Sequence, residues 1–329
     1  MNWLALIWCG IIAFGVIMYV ILGGFDLGIG IMSIFFKEEK ERDLLMSAIL
    51  PVWDGNQTWL VFGGATLYGA FPAAFSAILP LMYIPLLIMV IALLFRGVSF
   101  EFRLKAIRTK RFWEFCIFLG SVSATMAQGF ILGTFVQGFN LSATAGSIEQ
   151  WFNPFGLACA IALVFGYVLL GSNFLIIKTV GALQEKSYTL SGKIQYIILA
   201  ACIMVSVWSP FLDPSIRQRW FNPDYIGYLA ILPFLTMIFL ITHGVAIRKK
   251  YEYLPFWSAI GMFLMCYFGF IISSYPYIVP RQITYTEAAA DKSSLLFMLV
   301  GVCMMLPPLL YYTYYSYRIF RGKVTQLGY

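Results

Sequence analysis

An all-α, polytopic membrane protein of about nine transmembrane helices is the fold the sequence predicts, and three observations predict it. Of 329 residues, 61% are hydrophobic and 11% charged, and the mean hydropathy is +0.83, far outside the soluble range. The apolar residues fall in long stretches separated by charge clusters. At roughly 20 apolar residues per span, they leave little chain for a soluble domain, so residues 1–329 read as a single transmembrane domain.

The stretches place spans at about 4–34, 53–70, 77–97, 114–136, 154–178, 193–211, 225–247, 254–277 and 293–316. The first run has no basic leader and no small-residue cleavage site, and is expected to stay as the first helix. Nine spans put the termini on opposite sides. With the N-terminus outside, the inner loops and C-terminal tail hold 18 of the 22 Lys and Arg residues. The outer loops hold Arg217, Arg219, Arg281 and Lys292. Cytoplasmic loops carry the excess of Lys and Arg, so the N-terminus is expected on the periplasmic side and the C-terminus in the cytoplasm. The net charge of +7 follows from those loops and needs no nucleic-acid partner.

Histidine is the most restrictive count. Haem within membrane helices usually takes imidazole ligands, and the chain has one histidine, His243. A bis-histidine cytochrome is excluded, and no metal site is expected. The six cysteines lie far apart in apolar segments without a C-x-x-C pair, as packing residues do.

Asp26 and Asp54 are the two acids that fall outside routine loops and charged helix ends. Asp26 lies about 33 Å along the first helix at 1.5 Å per residue, and Asp54 opens the second span, so both belong near the cytoplasmic side. An intramembrane acid is a functional candidate because burial is costly unless the charge is paired or protonated; helix capping is the other reading of Asp26. Trp53-Asp54-Gly55-Asn56-Gln57-Thr58-Trp59 carries more hydrogen-bonding groups than one helix cap needs. It reads either as a cap with two headgroup-level tryptophans or as a polar path or partner interface. Arg96 sits at the edge of the third apolar run, where it can pair with a carboxylate of the first or second span or snorkel to the surface. Glu101 has i,i+4 spacing to Lys105 and reads as a solvated helix end. His243 reads as a hydrogen-bonded helix residue, with no second ligand at i±3 or i±4.

Three ordered motifs carry a resemblance: Gly24-Phe25-Asp26-Leu27-Gly28; Trp53-Asp54-Gly55-Asn56 with Trp59-Leu60-Val61; and Arg96-Gly97 with Phe100-Glu101-Phe102-Arg103. In order and spacing they resemble subunit II of the cytochrome bd family of bacterial quinol oxidases, and the chain is similar to the compact subunits of its cyanide-insensitive branch. The resemblance implies a haem-free subunit in the bacterial inner membrane. Its partner, subunit I, would bind two b-type haems and haem d, oxidise quinol and reduce oxygen to water. Asp26 and Asp54 would help conduct protons from the cytoplasm. Trp59 would border an apolar route for oxygen or a bound lipid or quinone. Trp53, Asn56, Trp59, Arg96 and Glu101 become interface or ion-pair candidates, and small single-helix accessory subunits become candidate partners. Many family members have Glu where this chain has Gln57, and an amide cannot relay a proton as a carboxylate does. The rival readings are a secondary transporter, which would show paired broken helices in two related halves, and a structural subunit of another membrane complex.

Overall fold

The computed structural model describes residues 3–324. Thirteen helices dominate it: α1 (Trp3–Met32), α2 (Glu39–Ile49), α3 (Trp53–Ala70), α4 (Pro72–Lys105), α5 (Lys110–Gln137), α6 (Ile148–Trp151), α7 (Pro154–Lys178), α8 (Gly181–Leu212), α9 (Pro214–Trp220), α10 (Ile226–Leu229), α11 (Ile231–Arg248), α12 (Leu254–Ser274) and α13 (Lys292–Ile319). Local chemistry sets several starts. Pro72, Pro154 and Pro214 stand in first turns, where a missing N–H costs nothing. The Asn153 side chain caps α7 by accepting from the Gly156 N–H at 2.7 Å.

Among the described residues, eight helical segments are long and apolar enough to cross a membrane. The expected count was nine. The difference is residues 53–70, which form α3 with the expected limits but are not among the eight. Asp54, Asn56, Gln57, Thr58 and four glycines dilute the helix's apolar content. α2, absent from the predicted spans, is a short amphipathic helix between α1 and α3.

Small residues decide how closely the central helices approach. A Cβ on Gly28 would lie 1.8 Å from the Tyr167 carbonyl oxygen, and one on Gly171 would lie 2.8 Å from the Ile29 nitrogen. α1 and α7 therefore touch backbone to backbone, and any larger residue at either glycine would push them apart. Gly129 against Ala160, and Gly133 against Gly156, do the same for α5 and α7. Aliphatic and aromatic side chains fill two cores. One surrounds Phe25, Leu45, Phe100, Leu170 and Phe174. The other surrounds Trp8, Phe71, Phe130 and Trp151 beneath a two-stranded hairpin, β1 (Tyr277–Val279) with β2 (Ile283–Thr284).

Candidate functional site

Close approach of α1 to its neighbours encloses Asp26 completely, and α4 brings Arg96 to it. Arg96 Nη2 donates to Asp26 Oδ1 at 2.5 Å and lies 3.3 Å from the Asp26 carbonyl oxygen. Its Nε donates to Ser121 Oγ on α5 at 3.0 Å, and Ser121 in turn donates to the Ile117 carbonyl. The guanidinium also lies 4.8 Å from the centre of the Phe100 ring. Each charge makes burial of the other tolerable, since removing one partner leaves an uncompensated ion in a low-dielectric interior. The second carboxylate oxygen, Asp26 Oδ2, lies outside the ion pair and makes no close hydrogen bond among the described residues; the Gln57 amide is the carboxylate's polar neighbour.

Residues flanking Gln57 on α3 take distinct places. Asn56 is buried, donates to the Leu22 carbonyl at 3.1 Å and accepts from the Tyr317 hydroxyl at 2.8 Å, tying α3 to α1 and α13. Asp54 is exposed on the surface of this chain, one turn before Gln57. No hydrogen bond or ion pair joins Asp54 to Asp26 among the described residues. Trp53 packs over Gly97 and, at 5.4 Å between rings, against Phe100. Trp59 is fully enclosed, edge-on to Phe14 at 5.6 Å and Phe62 at 5.9 Å, and so is a core residue of this chain. Glu101 is exposed and unpaired among the described residues.

Two arrangements escaped the reading of the sequence. Gln128 on α5 donates to the Tyr19 hydroxyl at 2.9 Å and accepts from Tyr167 at 2.8 Å, linking α1, α5 and α7. A lone amide within an apolar run was the available signal. The second is a buried ion network. Glu114 accepts from Arg42 at 2.7 Å and from Arg103 at 2.8 Å, and Asp43 pairs with Arg103 and Lys110, both at 2.7 Å. It joins α2, α4 and α5 where the sequence suggested solvated loops. Alternating signs over residues 37–43 and 101–114 were the signal, but only the docking of α2 shows that those charges meet.

His243 is fully buried among α7, α8 and α11. Nδ1 lies 2.6 Å from Gln195 Oε1, and Nε2 lies 3.1 Å from both Asn173 Nδ2 and Ser191 Oγ. Ser191 donates to Asn173 Oδ1 at 2.6 Å, and Asn173 Nδ2 also reaches the Pro255 carbonyl at 3.2 Å. One neutral tautomer satisfies the whole set: Nδ1–H donates to Gln195, and Nε2 accepts from Asn173. Both ring nitrogens are engaged, so this imidazole does not fit an axial haem ligand.

The fold and site together define a multi-span helical membrane subunit whose buried charge is concentrated in its first helices. A family model described as cytochrome bd terminal oxidase subunit II matches residues 4–320. The chain is 27% identical over 333 residues to cytochrome bd ubiquinol oxidase subunit 2 of Bacillus subtilis, covering 97% of this chain and 96% of the relative. It is 24% identical over 363 residues to cytochrome bd-I ubiquinol oxidase subunit 2 of Escherichia coli K12, covering 98% and 96%. The solved bd oxidase from Geobacillus thermodenitrificans shares its fold, with a TM-score of 0.80 at 18% identity over 96% of this chain and 98% of that one. The chain belongs to the cytochrome bd terminal oxidase subunit II family. It is a subunit of a haem-containing quinol:oxygen oxidoreductase with a subunit I partner.

Proposed function

We propose that this chain is the haem-free subunit of its oxidase and supplies proton access through α1, α3 and α4. The two b-type haems and haem d then belong to subunit I, which oxidises quinol. Reduction of one O2 to two waters consumes four electrons and four protons, and in this reading the protons come from the cytoplasm, toward which the Lys- and Arg-rich loops face. The carrying observation is the buried Asp26–Arg96 pair, whose second oxygen, Oδ2, is left outside the pair with Gln57 beside the carboxylate, on the helix that Asp54 opens.

The residues divide the work by chemistry. Asp54 is exposed near the start of α3, ahead of the apolar Trp59–Phe62 stretch. A carboxylate facing lipid is expensive, so this face of α3 is assigned to subunit I, with Asp54 collecting protons at the junction. Arg96 holds the charge of Asp26, and Oδ2 is the atom at which a proton is taken and released. Gln57 can orient water between the two acids but cannot itself carry the proton as Glu would. Trp53 and Asn56 fix α3 against α4 and α13. Trp59 borders the apolar side, where oxygen, a lipid or a quinone would pass, and Glu101 remains at the solvated surface. The complex belongs in the bacterial inner membrane; with α3 as a ninth crossing beside the eight apolar ones, the chain's N-terminus is periplasmic and its C-terminus cytoplasmic, and small single-helix accessory subunits are candidate partners.

The test is Asp54→Asn in the purified complex, read by haem content and quinol-driven oxygen consumption on one sample. Proton access predicts full haem with turnover reduced by on the order of tenfold or more. A purely structural Asp54 predicts lost haem and failed assembly.

A further inference from the structure

Where α7, α12 and α13 meet beside the end of α2, the chain forms a cavity of about 220 Å³. Buried Val52 and Phe174 line its inner side, exposed Arg321 and half-buried Lys323 line it toward the surface, and buried Lys178 and exposed Tyr253 complete the lining. Lys178 is only 8% exposed. Its ammonium donates to the Phe320 carbonyl and has no carboxylate partner among the described residues. Arg321 is exposed and likewise has none. Lys323 is neutralised by Glu252 at 2.9 Å. Among the described residues these three cations share one carboxylate. The N-terminus of α12, the positive end of a 21-residue helix, opens at Tyr253 with no side-chain cap.

Helix capping accounts for part of this, since Lys178 covers the carbonyl that ends α13 and Lys323 reaches the Ile176 carbonyl at 3.1 Å. It leaves Arg321, the remaining Lys178 protons and the apolar cavity without a role. A buried ammonium lacking a counter-ion is costly, and an anion in the cavity would offset it. Cations beside an apolar inner side make an amphiphile's binding site: a phosphate against the cations and acyl chain or glycerol against the apolar side. Basic pockets between transmembrane helices recognise such headgroups. We propose that this pocket binds a phosphate-bearing anionic group, the headgroup of an acidic phospholipid being the source that also uses the apolar inner side. The site is separate from the proton-access reading and does not depend on it.

The experiment uses the purified, delipidated oxidase complex and three probes: dioctanoyl phosphatidylglycerol, dioctanoyl phosphatidylcholine and inorganic phosphate. Phosphatidylglycerol is expected to bind about tenfold more tightly than phosphatidylcholine, and Arg321→Gln to remove about fivefold to tenfold of that affinity. Arg321 is exposed, so its replacement leaves folding intact; Lys178→Met should lose more, scored only where haem content is retained. Displacement of phosphatidylglycerol by inorganic phosphate identifies the phosphate alone as the recognised group. Resistance to displacement identifies the lipid. Equal affinity for the two lipids, or phosphatidylglycerol binding unchanged by Arg321→Gln, overturns the proposal.

Discussion

Two polar clusters are equally buried and chemically opposite. Between α1 and α4, Asp26 and Arg96 form an ion pair, and the second carboxylate oxygen faces only the neighbouring Gln57 amide. Among α7, α8 and α11, His243, Asn173, Ser191 and Gln195 are neutral, and their hydrogen bonds close on one another. The contrast separates two uses of polarity in a membrane. A closed neutral network fixes helices at little electrostatic cost. An open charged one is costly to bury, and what it adds is an ionisable group at a fixed depth.

The largest expected effect comes from breaking the charged cluster on one side. Arg96→Met leaves Asp26 as an isolated buried carboxylate, and loss of about 3–5 kcal/mol is expected, seen as failed assembly and missing haem absorbance. Replacing both partners, Asp26→Leu with Arg96→Met, should restore assembly without restoring turnover. Recovery of both would make the pair structural only. Next is Glu114→Gln, which weakens two buried pairs, those with Arg42 and Arg103. A loss of about 3 kcal/mol is expected, with α2 becoming the first site of proteolysis.

A smaller effect sharpens the comparison from its neutral side. His243→Gln should cost about 1–3 kcal/mol from unpaired buried groups, while the haem spectrum of the assembled complex stays unchanged. Loss of one haem with the protein still assembled would give His243 a ligand role. The smallest effect is at the surface, where hydrogen bonds from Lys323 and then Gln184 hold the Glu252 carboxyl below its ordinary value of 4.5. Its contribution is present above that value and is lost as pH falls through the lowered pKa. Lys323→Met should therefore lower thermal stability slightly at pH 7, and the difference from wild type should vanish in strong acid.

The helices were legible because apolar runs of membrane length leave few alternatives, and Pro154–Lys178 falls where the sequence put it; Trp53–Ala70 also keeps its expected limits, although its composition is more polar than that of the eight apolar spans. Arg96 was legible as a charge stranded at the edge of such a run, needing a carboxylate from α1 or α3. Its choice of Asp26 was not, because it depends on the depth at which α4 passes α1. Trp59 was legible as part of a dense polar and aromatic run, but its enclosure by Phe14 and Phe62 was not, because that depends on how α3 packs on α1. The α2 ion network was hidden because its partners lie 60 and 72 residues apart, as in Asp43 with Arg103 and Arg42 with Glu114. Charge spacing along a chain reports only neighbours on one helix.

If, as proposed, the charged helices of this subunit serve proton access while its neutral network serves architecture, the two separate in one experiment. Haem content and quinol-driven oxygen consumption are measured on one purified preparation of the Asp54→Asn complex, beside His243→Gln as the neutral-network control. Full haem is expected in both, with turnover reduced by about tenfold or more in Asp54→Asn and near wild type in His243→Gln. Full haem with wild-type turnover in Asp54→Asn would contradict proton access.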